Sequence, residues 1–240
     1  MNWIVNNLDL IWELTIQHVR LSIPPIVLGF IFSIPIGWFA YRFKLTRGLI
    51  LTVAGLLYTI PSLAMFVILP AVLGISLLSE LDVTIALTVY AVAILARSVA
   101  DALASVDPAV RESATAVGFS SFRRFWRVEL PLAGPVILAG LRVAAVSTVA
   151  LVTVGILIGV QSLGYLFTNG QQRGIVAEIL AGVVMTMVVA LVIDAVLVVL
   201  GRILLPWARM PSSPVREAPP FPPVALFAHP ISPGQGQGQP

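Results

Sequence analysis

Few residues in this chain of 240 could carry out covalent chemistry, and they are scattered. There are no cysteines, so neither a thiolate nucleophile nor a Cys-ligated metal centre can form. The two histidines, His18 and His229, are too far apart for the short spacings of His-rich metal motifs. No Gly-x-Ser-x-Gly elbow presents a serine nucleophile. The single lysine, Lys44, is followed by Leu45, so the Gly-Lys-Ser/Thr loop that cradles nucleotide phosphates is absent. No catalytic residue and no metal ligand is assigned. Two features remain. Asp194 interrupts a long apolar run, where a carboxylate is costly unless it is paired or used; Arg97, Arg142 or a cationic group from elsewhere would each answer that cost. The stretch 105–131 gathers capping residues, a glycine, arginines and aromatics. That chemistry suits holding a partner better than making or breaking bonds.

The elements that position these residues must be membrane helices. Apolar residues make up 58% of the chain and charged ones 10%, against about 45–50% and about 25% in soluble domains. A chain of this size could not bury that much apolar surface in water. An ordinary soluble enzyme is excluded. About 20 apolar residues cross the hydrocarbon core as a helix, and the charge-poor runs predict five spans, near 20–41, 49–74, 82–104, 134–160 and 178–204. The fold class is all-α, a polytopic bundle. The second run contains Pro61 and Pro70, and Pro61 is expected to hinge or break it.

Charge placement gives the expected orientation. With the N-terminus outside, twelve of the fourteen basic residues fall inside, in keeping with the positive-inside bias. The net charge of +3 is thereby explained, and nucleic acid is not an expected partner. Residues 1–19 carry Asp9 and Glu13 and no Lys or Arg. They do not read as a cleavable signal and are expected to lie as an amphipathic segment at the outer interface, with His18 at the membrane edge. The membrane body, a bundle of spans, covers 20–205. The tail, 206–240, holds ten of the eighteen prolines and ends in Gly-Gln repeats, a composition that reads as disordered.

The loop 105–131 has readable local chemistry. Asp107 is placed to cap a helix with Pro108 at its first position. Val110, Ala114 and Val117 recur on one helical face. Gly118 suits a left-handed helix end. Ser120 or Ser121 would cap a second short helix bearing Phe122, Phe125 and Trp126 on one face, stopped by Glu129-Leu130-Pro131. Such a glycine-bent pair either lies on anionic lipid or docks a partner protein, Ser113 and Ala114 being small enough for close approach.

Glu112-Ser113-Ala114, three residues, Gly118, nine residues, Val128-Glu129-Leu130-Pro131 resembles the cytoplasmic signature of importer-type ATP-binding cassette permeases. The family pattern is Glu-Ala-Ala, three residues, Gly, nine residues, Ile-x-Leu-Pro; Ser113 and Val128 are the departures. Tyr58 to Ala64, Val106-Asp107-Pro108 and Leu132 to Arg142 look like the osmoprotectant branch, which imports glycine betaine, carnitine, choline or proline betaine. The resemblance covers roughly 20–205.

It implies a permease subunit in the bacterial cytoplasmic membrane that is not itself an enzyme. Glu112, Ser113, Ala114 and Gly118 would form the elbow docking a separate ATPase, with Val128, Leu130 and Pro131 leading into the next span. ATP and magnesium would belong to the ATPase, so this chain needs no cofactor. A second permease subunit and an extracytoplasmic binding protein are the other implied partners, beside the bilayer. Pro61, Ser62 and Asp194 are the candidate hinge or pathway residues. An amino-acid or methionine permease of the same architecture and an ion-gradient-driven secondary transporter are the alternatives; the latter would show paired inverted repeats, and no repeat is visible.

Overall fold

In hydrocarbon every backbone N–H and C=O must find a partner within the protein, so apolar runs fold as helices. A computed structural model describes residues 2–76 and 79–209. Among these residues every regular element is helical. After a short α1 (Asn2–Asn6), the chain forms α2 (Leu8–Arg42), α3 (Lys44–Thr59), α4 (Ser62–Leu73), α5 (Glu80–Ala104), α6 (Pro108–Ala116), α7 (Ser121–Arg124), α8 (Leu130–Val152), α9 (Gly164–Arg173) and α10 (Val176–Leu204). Among the described residues four helices are long and apolar enough to cross a membrane: α2, α5, α10 and the continuous stretch Ser121–Ile158 that contains α8. The pair α3–α4 makes a fifth span if taken as one. Most of the Pro-rich tail, 210–240, lies outside the described residues.

The expected separation of residues 1–19 from the first span is corrected. α2 begins at Leu8 and runs unbroken for 35 residues. Leu14, Thr15 and His18 are buried, so one face of this segment packs into the bundle. His18 is wholly enclosed, with its Nε2 3.0 Å from the carbonyl oxygen of Val149 on α8. It is a packing residue between two helices and not a membrane-edge group.

The second span breaks where the sequence places a proline. α3 and α4 meet at an angle of 106°. Ile60 is extended, as the residue before a proline prefers, and Pro61 caps α4. The Tyr90 hydroxyl donates to the Ile60 carbonyl, which the break takes out of the helical ladder. Ser62 is half-buried at the first position of α4. Pro70 sits inside α4 without ending it.

α5 is the central helix, packed on α2, α3, α4 and α8. α2 and α5 run side by side in the same direction. A Cβ on Gly29 would stand 2.4 Å from the Ala91 Cβ, and one on Gly37 would stand 2.6 Å from the Val99 Cβ. The same spacing of eight on both helices makes two close-approach points, the small-residue packing that membrane helices use. At one end Arg20 and Glu80 approach to 3.9 Å; at the other Arg47 donates to Asp101 at 2.8 Å. The second is the end from which the α5–α8 loop projects.

The region 143–172 is more structured than its charge-free run suggests. After α8 a 3-10 turn, Thr153–Ile158, leads to α9, which packs on α10. Glu178, at the start of α10, is fully buried and accepts from Asn169 Nδ2 at 2.6 Å.

Candidate functional site in the α5–α8 loop

The loop begins at a cap that its own sequence supplies. Asp107 Oδ1 accepts the Ala109 amide at 2.8 Å, and Pro108 opens α6. α6 ends in a complete Schellman closure: Phe119 N donates to Ala114 O at 3.1 Å, and Gly118 N to Thr115 O at 3.0 Å. The closure needs a left-handed residue, and Gly118 has φ +89°. Ser120 Oγ then accepts the Arg123 amide at 3.4 Å and starts α7.

α7 does not stop before the next span, contrary to the sequence reading. Phe125–Glu129 form one π turn, with Leu130 N donating to Phe125 O, and the helix passes directly into α8. Pro131 has no amide proton to give to the preceding turn. The wider π turn just before it lets the helix continue where a regular turn would clash.

Two arginines fix the elbow. Arg124 Nε donates to Glu129 Oε1 at 2.7 Å, and its Nη1 donates to Thr115 Oγ1 at 2.7 Å. One guanidinium thus ties the end of α6 to the π turn. Glu129 is 2% exposed, so its charge depends on this partner. Arg111 Nη1 donates to the Tyr41 hydroxyl at 2.6 Å, its Nη2 to the Val106 carbonyl, and its guanidinium lies 5.4 Å from the Tyr41 ring centre. Phe125 is buried, with its ring 5.7 Å from that of Trp38. The loop is therefore bound to the end of α2 at two points. Arg42, Arg111, Arg124 and Glu129, with Trp38, Tyr41 and Ser121, line a cavity of about 220 Å³ there.

The signature residues divide by position. Glu112, Ser113 and Gly118 are exposed, beside Thr115, Ala116 and a Val117 that is 74% exposed. Ala114 is buried beneath them. Val128, Leu130 and Pro131 are half-buried, and Leu130 packs on the cluster of Val99, Leu103, Phe125 and Ile137. Of the three aromatics expected on one face, Phe125 points inward while Phe122 and Trp126 are exposed. The loop so presents a short exposed strip that two arginines tie to the neighbouring helices, over buried Ala114 and Phe125. It offers no group aligned for bond chemistry, and no cluster of three metal-ligating side chains occurs among the described residues.

The remaining candidates lie elsewhere: Pro61 and Ser62 at the α3–α4 break, Asp194 on α10 facing Arg142 of α8. The sequence reading missed Tyr41, Arg111, Arg124 and Glu129 as structural members of the loop. The one signal available was Glu129 itself, a charge placed inside the Leu-Pro motif, which asks for a buried partner.

A family model described as binding-protein-dependent transport system inner membrane component matches residues 29–210. The osmoprotectant import permease protein OsmW of Salmonella typhimurium is 31% identical over 209 residues, 86% of this chain and 97% of the relative. The glycine betaine/carnitine/choline transport system permease protein OpuCD of Bacillus subtilis is 32% identical over 191 residues, 79% of this chain and 82% of the relative. Among solved structures, one of the MetNI methionine ABC transporter in an inward-facing conformation superposes with TM-score 0.72 at 19% identity, over 83% of this chain and 98% of that one. At that identity the likeness establishes the fold.

Proposed function

Since the chain belongs to the family of binding-protein-dependent transport system inner membrane components, we propose that it is the permease subunit of an ATP-driven importer of osmoprotectants. Its cargo class is small quaternary ammonium compounds such as glycine betaine, carnitine or choline. It works in the cytoplasmic membrane, with the N-terminus outside and the α6–α7 elbow in the cytoplasm. A separate ATPase subunit binds ATP and magnesium and docks on the elbow. A second permease subunit, identical or related, completes the membrane part, and an extracytoplasmic binding protein delivers the cargo.

The observation that carries the mechanism is the elbow. Its exposed strip of Glu112, Ser113 and Val117 is held by the Gly118 closure and the Arg124–Glu129 clamp. A surface meant to receive force must not deform, and the clamps meet that need. Closure of the ATPase pair pushes on α6, the clamps pass the displacement to α2 and α8, and the bundle shifts between inward- and outward-open states. The osmoprotectant relatives support this cargo class over amino acids, because the methionine-transporter likeness speaks only for the fold.

The test is co-purification from mild detergent, wild type beside Gly118→Val, with every associated chain identified by mass. An ATPase that accompanies the wild type and is lost or reduced with the variant supports the reading. Wild type that purifies alone, yet drives uptake into vesicles lacking ATP, refutes it in favour of gradient-driven transport.

A further inference from the structure

α8 and α10 hold Arg142 and Asp194 against each other. Arg142 Nε and Nη2 donate to the two carboxylate oxygens at 2.6 and 2.7 Å, fork to fork. At about 1.5 Å per residue, Arg142 stands about 18 Å along α8 from Leu130, and Asp194 about 15 Å along α10 from Leu204. In a hydrocarbon core about 30 Å thick, both helices place the pair near mid-depth.

The pair is not enclosed. Its side chains are 43% and 23% exposed and open onto a cleft of about 680 Å³, walled also by Val146, Ser147, Met187 and Leu191. Ionised groups facing lipid tails at that depth are costly even when paired. The opening must therefore face water or another protein surface. The clefts beside Trp126 and beside Leu204 have essentially apolar walls, and a charged solute has no reason to enter them.

We propose that the α8–α10 cleft lies on the route of the cargo and that Arg142 and Asp194 receive a zwitterion bearing a quaternary ammonium and a carboxylate. The ammonium is drawn to Asp194 and the carboxylate to Arg142. The two side chains exchange each other for the cargo's charges, and no ion is left uncompensated. Between cargoes they neutralise one another and keep the cleft closed to stray ions. This inference rests on the osmoprotectant permease reading.

Because the chain has no cysteine, a single introduced thiol reports on the cleft. The assembled transporter, with its ATPase and binding protein, is placed in vesicles. Ser147→Cys is treated during ATP turnover with a membrane-impermeant trimethylammonium thiosulfonate. The thiol is expected to react, and saturating glycine betaine to slow the reaction about tenfold. No reaction, or one that glycine betaine leaves unchanged, overturns the inference. The charge-reversed pair, Arg142→Asp with Asp194→Arg, restores an ion pair between the same helices. It is expected to assemble with the ATPase at the wild-type yield while glycine betaine uptake falls about tenfold or more. Assembly with uptake at the wild-type rate makes the pair a staple only and overturns the inference. Wild type that takes up neither glycine betaine, carnitine nor choline refutes the cargo reading, and this inference with it. Wild type that transports glycine betaine past an unreactive or unprotected thiol refutes this inference alone.

Discussion

Gly118 isolates one physical effect. A Cβ added there would meet no atom within 4 Å. Substitution by alanine therefore leaves packing untouched and acts only through the backbone, which is held at φ +89°. For an L-residue the left-handed region costs about 1–2 kcal/mol. Asparagine enters that region more readily than alanine. The closure it supports is made by two amides, Gly118 N to Thr115 O and Phe119 N to Ala114 O. Local opening of this turn exposes those amides to exchange. Gly118→Ala should raise the opening constant by about 5- to 30-fold, the equivalent of about 1–2 kcal/mol. Gly118→Asn should raise it by a smaller factor. The assay is hydrogen–deuterium exchange of peptides covering 112–121, with the permease in nanodiscs. Exchange in the α10 peptides should not change, because α10 packs mainly on α8 and α9 and the altered backbone angle is local to the turn. Protection unchanged in the alanine variant, or asparagine worse than alanine, would refute the argument that this loop is shaped by a left-handed glycine.

Three further outcomes follow from the packing. Arg124→Met leaves Glu129 buried without its cation and should cost about 3–5 kcal/mol, whereas Glu129→Gln keeps an acceptor for Arg124 and should cost clearly less; thermal unfolding midpoints in nanodiscs rank the two, and equal losses contradict the clamp. Gly29→Val forces a side chain into the 2.4 Å approach to Ala91 and should lose about 1–3 kcal/mol by overpacking; Ala91→Gly in the same chain should recover part of it, and absence of recovery counts against the α2–α5 contact. Tyr90→Phe leaves the Ile60 carbonyl at the span break without its hydroxyl donor and should lower stability by about 1–3 kcal/mol; an unchanged unfolding midpoint shows that water or lipid headgroups satisfy that carbonyl instead.

Local signals were readable because they act over a few residues. Asp107-Pro108, Gly118 and Pro61 each impose a backbone state by their own covalent chemistry, and each appears in the fold where the sequence places it. The spans were readable because a charge-free run of sufficient length has few alternatives in a bilayer. Long-range partners were not. Nothing near Arg124 in sequence says that it will reach Thr115 and Glu129 at once, since that depends on the Gly118 turn folding α6 back on α7. His18 looked peripheral because it precedes Arg20 and the charge-free run that starts at Leu21; its burial follows from the face that α2 turns toward Val149. Residues 1–19 looked separate for the same reason, though an amphipathic helix can continue a span as readily as lie beside one, and here it does from Leu8 onward. The π turn had a cue in Pro131, but proline more often ends a helix than widens it, and the outcome was fixed by Phe125 and Leu130 packing into one cluster.

The uninterrupted path from α7 through the π turn into α8 gives the loop a mechanical gain. The stretch Ser121–Ile158 holds 38 residues, about 57 Å of rod at about 1.5 Å per residue. Pivoted at the elbow, a tilt of about 5° carries its far end through about 5 Å, near the pitch of one helical turn. His18 and the 3-10 turn after α8 lie toward that far end, where the displacement is greatest. If the ATPase docks on the elbow as proposed, stiffness in a short loop sets the travel at the far end of this rod, and softening the loop shortens the stroke before it weakens the grip.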